Sequence, residues 1–309
     1  MKKAVTFIII ILNFYTSLYS QQLILEDAVY FKNPNPNDGI WLEKPNKTDT
    51  TKFKYSKNNL TYKVGREFIY DYYFIDKSGA KKKFLLTNDQ TSIQNLLNLT
   101  SYEKITDATI DKIRLTVTDA KETYPACTAD STCTQTVISY SYLTTNQKVC
   151  NSACSSVKSK KSNESYCSCG SVATGIYDNK KNVWMHPPRQ YTFKILQLNP
   201  FPFYQLDKSI KNWAWHLEIG GAYLDPRWVK TKDNIKVRYE YERQNDETIK
   251  TTFGNIKCNV TNAIGLSQSE NFSMKTGLKS YYHPDYGFVR LEYINIDNSK
   301  IVIQLVEVN

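Results

Sequence analysis

Apolar and polar positions alternate with period two along most of the chain. Residues 67–75 read Glu-Phe-Ile-Tyr-Asp-Tyr-Tyr-Phe-Ile, which sets Phe68, Tyr70, Tyr72 and Phe74 on one face, the spacing of a half-buried strand. Ser78-Gly79 then predicts a turn, and residues 83–87 a returning strand. Ile113, Leu115 and Val117 alternate in the same way, as do Ile138, Tyr140 and Tyr142, and residues 194–198 and 235–241 keep the rhythm. The cleanest hairpin predicted runs from Phe288 to Ile296, turns at Asp297-Asn298-Ser299-Lys300, and returns from Ile301 to Val308. Helical periodicity is confined to two short runs, 89–97 and 105–110. The fold class this predicts is mainly β and antiparallel, with one or two short helices.

The first twenty residues break that pattern. Lys2 and Lys3 precede an uninterrupted apolar run from Phe7 to Leu12, and small and aromatic residues continue to Ser20. This is the layout of a secretory signal peptide, and the apolar run is far shorter than the ~20 residues that span a bilayer. Residues 1–20 are therefore expected to direct export, and 21–309 to form one β domain without a transmembrane segment. The location expected is the periplasm, the outer-membrane surface or the medium.

Formal net charge is +10 for the 309 residues. A basic chain can favour nucleic acid or other acidic polymers, but its densest lysine runs, Lys81–Lys83 and Lys158–Lys161, carry no interleaved aromatic rings. A nucleic-acid partner is not expected.

Six of the seven cysteines, Cys127, Cys133, Cys150, Cys154, Cys167 and Cys169, fall within 43 residues of polar sequence. In an exported chain such a cluster reads first as a disulfide framework. It marks residues 121–172 as a stapled insertion in the domain. Zinc is the rival reading for the four thiols from Cys150 to Cys169, although their spacing lacks paired C-x2-C knuckles. Cys258 alternates with Ile256 and Val260 against Lys257 and Asn259, which predicts a thiol on the buried face of a strand.

The densest chemistry lies between Trp184 and Trp228, which holds four of the five tryptophans. These rings can fill the interior of a curved sheet, or they can line a concave surface for an apolar ligand or a sugar ring. In the second case the candidate site is Trp184, His186, Arg189, Trp213, Trp215, Tyr223, Asp225, Arg227 and Trp228. Catalysis finds less support. No Gly-x-Ser-x-Gly elbow and no His-Glu-x-x-His helix occur. His186, His216 and His283 could meet as a zinc site, and Glu218 with Asp225 could act as a hydrolytic carboxylate pair, but no spacing specifies either. His283-Pro284-Asp285-Tyr286-Gly287 reads more simply as a turn. No catalytic residue, cofactor or metal is assigned.

Several segments carry a family resemblance. They are Trp184-x-His186-Pro187-Pro188-Arg189, Asn199-Pro200-Phe201-Pro202, Thr252-x-Gly254-x-x-x-Cys258 and the ending Tyr282-His283-Pro284-Asp285-Tyr286-Gly287-Phe288-Val289. Together they resemble uncharacterised exported β-rich proteins of the Bacteroidota. More distantly, Tyr62-Lys63-Val64-Gly65 and the glycine–cysteine strand are similar to periplasmic half-barrel domains such as the lipoprotein carriers of the Lol system. That resemblance implies a strongly curved antiparallel sheet, an incomplete barrel, with a helix or loop plugging its mouth.

The function expected is non-enzymatic: an envelope binding or carrier-like protein holding an apolar or amphiphilic ligand in a curved sheet. Two alternatives stand beside it, an exported interaction protein that uses the stapled loop and a hydrolase of envelope polymers. A lipid, a glycan or another envelope protein is the expected class of partner.

Overall fold

A computed structural model describes residues 59–84, 109–119, 136–146, 155–158, 164–178, 180–189, 191–219, 229, 235–269 and 272–309, with the backbone of three short strands before them. Those are β1 (Gln22–Ile24), β2 (Val29–Phe31) and β3 (Leu42–Lys44). Next come β4 (Glu67–Ile75), β5 (Lys81–Lys82), β6 (Lys112–Asp119), β7 (Thr136–Thr144), β8 (Ser155–Lys158) and β9 (Ser165–Asp178). β10 (Asn182–Met185) and β11 (Phe203–Gln205) flank a 3₁₀ helix, Tyr191–Leu198. The last third holds β12 (Asn212–Ile219), β13 (Ile235–Arg243), β14 (Glu247–Thr251), β15 (Gly254–Ser269), β16 (Phe272–His283), β17 (Gly287–Ile294) and β18 (Lys300–Val308).

All but β2 and β3 belong to one sheet whose main path runs β1-β12-β13-β15-β16-β17-β18-β4-β6-β7-β9-β10-β11. Apart from the parallel pair of β1 with β12, every pairing along that path is antiparallel. The path does not close. It does curl: β12 and β10 stand second and twelfth along it, yet the rings of Trp215 and Trp184 on them lie 4.8 Å apart. An antiparallel sheet with one apolar face must cover that face, and this one does so by rolling its two ends together. Every residue of β10 and β11 is buried, so that hairpin is covered on both sides.

Two segments close the ends of the roll. At one end Tyr62 is fully buried, its ring 4.8 Å from Phe68, and its hydroxyl accepts from the N–H of Phe288 at 2.8 Å. At the other, the 3₁₀ helix sets Phe193 against Tyr72, Phe84 and Tyr142. The helix is docked by hydrogen bonds from Thr276 Oγ1 to the Leu198 carbonyl (2.9 Å) and from Asn199 Nδ2 to the carbonyls of Gly277 (3.2 Å) and Ile294 (2.8 Å). The last ties a buried amide to sheet backbone that would otherwise face an apolar side chain.

Two expectations need correction. Residues 194–198 are 3₁₀ helix, not strand. Pro187-Pro188 and Pro200 bracket the segment, and their missing N–H groups keep it off a ladder. The stretch 121–172, read as a stapled insertion in the domain, supplies β7, β8 and half of β9, and β7 is an internal strand between β6 and β9. Of its cysteines, Cys167 is buried and disulfide-bonded. Cys258 is free, and the side chains of Cys127, Cys133, Cys150, Cys154 and Cys169 lie outside the described residues. The signal segment 1–20 and the run 89–97 also lie outside them, as do residues 105–108 of the second helical run. No helix among the described residues is long and apolar enough to cross a membrane.

Candidate functional site

The candidate residues that are described gather where the two ends of the sheet meet. Trp213 and Trp215 alternate with Ala214 and His216 on β12, so both indoles face inward. Across from them β10 carries Trp184, and the segment after it carries His186 and Arg189. Trp184 stacks on Tyr177 of β9 with centroids 4.2 Å apart, and Trp213 stacks on Tyr241 of β13 at 5.4 Å and 2° between planes. Phe203 of β11 meets Trp213, Trp215 and Tyr241 edge-on at 5.8, 6.0 and 5.4 Å. The structure thus brings Trp184, His186, Trp213 and Trp215 together and buries all four. Arg189 is half-buried and donates from Nη2 to Thr174 Oγ1 at 3.2 Å. Tyr223, Asp225, Arg227 and Trp228 lie outside the described residues.

The seam is held by side chains. Arg243, at the end of β13, donates to Tyr204 Oη at 2.7 Å, to the Gln205 carbonyl at 2.5 Å and to the Ile210 carbonyl at 3.1 Å. Tyr204 in turn stacks on Tyr282 of β16 at 4.7 Å. No ladder of backbone hydrogen bonds joins β10–β11 to β12–β13 among the described residues.

Behind the tryptophans the sheet projects a set of tyrosines that sequence reasoning did not assemble. Tyr70 (β4), Tyr140 (β7), Tyr239 and Tyr241 (β13) and Tyr293 (β17) come from four strands, and all are buried. A rolled sheet converges its inward side chains, and long phenol rings carry their hydroxyls towards its middle. Tyr140 donates to the His186 carbonyl at 2.6 Å and Tyr241 to the Phe201 carbonyl at 3.2 Å, which anchors the segment crossing the concave face. Burial holds every one of these phenols above its ordinary value, so they remain neutral donors at any physiological pH. The sequence signal was present, since each lies on the apolar face of an alternating strand, but strand order decides which faces meet.

Among the buried donors without a hydrogen-bond partner among the described residues are Nε1 of Trp184, Trp213 and Trp215, and Oη of Tyr239 and Tyr293. A buried donor left unpaired costs about 1–3 kcal/mol. Native interiors hold few of them, and the three indoles and Tyr239 belong to one cluster of packed rings around Phe201 and Phe203.

The histidines have separate surroundings. His186 packs on Phe201 at 4.5 Å, His216 is half-buried on β12 opposite Arg238, and His283 ends β16 with Nδ1 accepting from the Asp285 N–H at 3.2 Å. The last is a turn contact, as the sequence of that turn implies. No three His, Cys, Asp or Glu side chains among the described residues are grouped to hold a metal ion.

No protein-family model and no curated protein matches the chain. Two solved structures do. One is an exported protein of YmcC-like fold from Bacteroides fragilis, 12% identical, covering 81% of this chain and 98% of its own, with a TM-score of 0.36. The other is a lipoprotein from Parabacteroides distasonis, 13% identical, covering 81% of this chain and 97% of its own, with a TM-score of 0.40. Likeness at that level decides nothing about function.

Proposed function

We propose that this chain is a non-enzymatic binding protein of the bacterial envelope that holds an amphiphilic ligand in its curved sheet, at the seam between β10–β11 and β12–β13. The observation that carries this reading is the group of buried, unpartnered donors among the stacked rings. A core selected for packing alone would place Phe or Leu at such positions, because each unpaired donor is a loss. A ligand with an apolar body and an acceptor-bearing end would use both the rings and the donors.

Trp184, Trp213 and Trp215 would contact the body of the ligand, with His186 and Arg189 beside it. Tyr223, Asp225, Arg227 and Trp228 follow β12 in sequence and belong to the same site in this reading. Entry through the seam breaks no ladder of backbone hydrogen bonds among the described residues. The charged, then apolar, then small-residue start of the chain supports an exported setting.

The test is native mass spectrometry on protein purified from its own envelope without detergent. The expected result is an excess mass that extracts into organic solvent and returns when the extract is added back. A clean apoprotein that also takes up no single-chain amphiphile in solution would end the proposal.

A further inference from the structure

Phe201 stands at the hub of the seam. Its ring lies 5.3 Å from Trp215, 6.3 Å from Trp184, 5.9 Å from Tyr239 and 4.5 Å from His186. Three of those four neighbours carry a buried donor with no partner among the described residues, namely Trp184 Nε1, Trp215 Nε1 and Tyr239 Oη. A phenyl ring is no acceptor for an ordinary hydrogen bond. The near-perpendicular Trp215 pair, at 85°, allows at most a weak N–H···π contact, and the Trp184 and Tyr239 rings are tilted by only 30° and 36°. Three rings that carry such donors therefore pack on a side chain that cannot accept from them.

Charge adds a second observation. Arg189, three residues after His186 on the same segment, has no carboxylate partner among the described residues and donates only to the neutral Thr174 Oγ1 at 3.2 Å. An indole N–H donates and never accepts, so these groups together suit an acceptor-only group with negative charge. The segment bearing Phe201 makes few backbone–backbone hydrogen bonds at that point. Pro200 and Pro202 have no N–H, and the bonds there are 3.2 Å from Tyr241 Oη to the Phe201 carbonyl and 3.2 Å from the Met185 N–H to the Pro202 carbonyl.

We infer that Phe201 occupies the place of an anionic oxygen headgroup, a carboxylate or a phosphate, which displaces the ring and is received by Trp184, Trp215 and Tyr239 with Arg189 as its counter-charge. This rests on the binding-protein reading and names the polar end of its ligand. Phe201 is then a stopper that keeps the headgroup site closed until a ligand arrives.

The experiment is a titration of the full mature chain with dodecanoate, dodecyl phosphate and dodecanol, followed by tryptophan emission and native mass spectrometry. At least one anion is expected to bind about tenfold or more tightly than the alcohol of the same chain length, and the tighter of the two identifies the source of the headgroup. F201A is expected to strengthen anion binding several-fold by removing the closed state. R189Q is expected to bring the ratio of anion to alcohol affinity to about one, with far-UV circular dichroism confirming its fold. Dodecanol bound as tightly as either anion, or an R189Q chain that keeps the preference, would overturn the headgroup assignment while leaving a binding protein. No binding of any probe, by either the parent chain or F201A, would overturn both.

Discussion

The backbone N–H of Tyr62 donates to Oδ2 of Asp178 at 2.8 Å, joining the segment that closes one end of the roll to the last residue of β9, 116 positions along the chain. The N–H of Thr61 adds a second bond to the same oxygen at 2.7 Å. Asp178 is 1% exposed, so this carboxyl group works as a buried peg. Burial raises its pKa above the ordinary carboxylate value, against the opposing pull of the Tyr62, Thr61 and Leu60 N–H groups. Truncation to Ala would leave those donors unpaired, at a cost of about 2–4 kcal/mol. Because the folded pKa is raised, the titrating group contributes most below its unfolded value near 3.9, and that contribution is lost as pH rises through the folded value. Urea unfolding of the parent and D178N chains between pH 3.5 and 7 should therefore show the parent's advantage shrinking as pH rises. An advantage that grows with pH would mean the N–H bonds outweigh burial.

Gly287 opens β17 at φ 70°, and a Cβ there would lie 2.3 Å from Tyr62 Oη and 2.5 Å from its Cζ. Gly79 has φ 84° and nothing within 4 Å of the same point. Both substitutions to Ala meet the left-handed backbone penalty, about 1 kcal/mol. Only G287A also collides with a ring that is fully buried, so about 2–3 kcal/mol more is expected from overpacking. Equal losses for the two variants in thermal or urea melts would show that Tyr62 yields without cost.

How much of this was legible beforehand depended on the range of the interaction. The strand at 67–75 and the final hairpin were readable because Phe68, Tyr70, Tyr72 and the residues from Ile301 to Leu305 declare a buried face within a few positions. The 3₁₀ helix was misread because Phe193, Leu196, Ile195 and Leu198 fit a period of three as well as two over so short a run. Nothing near Trp184 or Trp215 says that strands at opposite ends of one sheet will touch, since that follows from accumulated curvature. The tyrosine interior was hidden for the same reason. Tyr140 and Tyr293 come from strands far apart in sequence, and only the strand order β17-β18-β4-β6-β7 places them on one concave face.

Cys258 lies on β15 with no solvent exposure, and burial, with Asp246 adding to it, pushes its pKa up to about 12. The attacking species is the thiolate, so both access and ionisation work against reaction. Iodoacetamide at pH 8 under native, non-reducing conditions should leave Cys258 unmodified over hours, while the same reagent in 6 M urea labels it. Peptide mass mapping reads the result directly. Rapid native labelling would show that β15 opens on that timescale.

Asn199 offers a sharper test of how the 3₁₀ helix is held. Its Nδ2 donates to the carbonyls of Gly277 and Ile294, and the residue is completely buried. N199D preserves size and shape while replacing two donors with an oxygen that faces two carbonyls. At neutral pH the new carboxylate would be desolvated and repelled, and its pKa would rise until the protonated form restored one donor. N199A removes the bonds without adding charge and should cost about 1–3 kcal/mol, with little dependence on pH. N199D should be the worse of the two at pH 7 and should recover part of its stability as pH falls towards 4, the sign required for a carboxyl group whose folded pKa is raised. Matching pH profiles for N199A and N199D in urea unfolding would show that the helix end opens to water, and that Phe193 and its ring neighbours hold the helix without help from the Asn199 bonds.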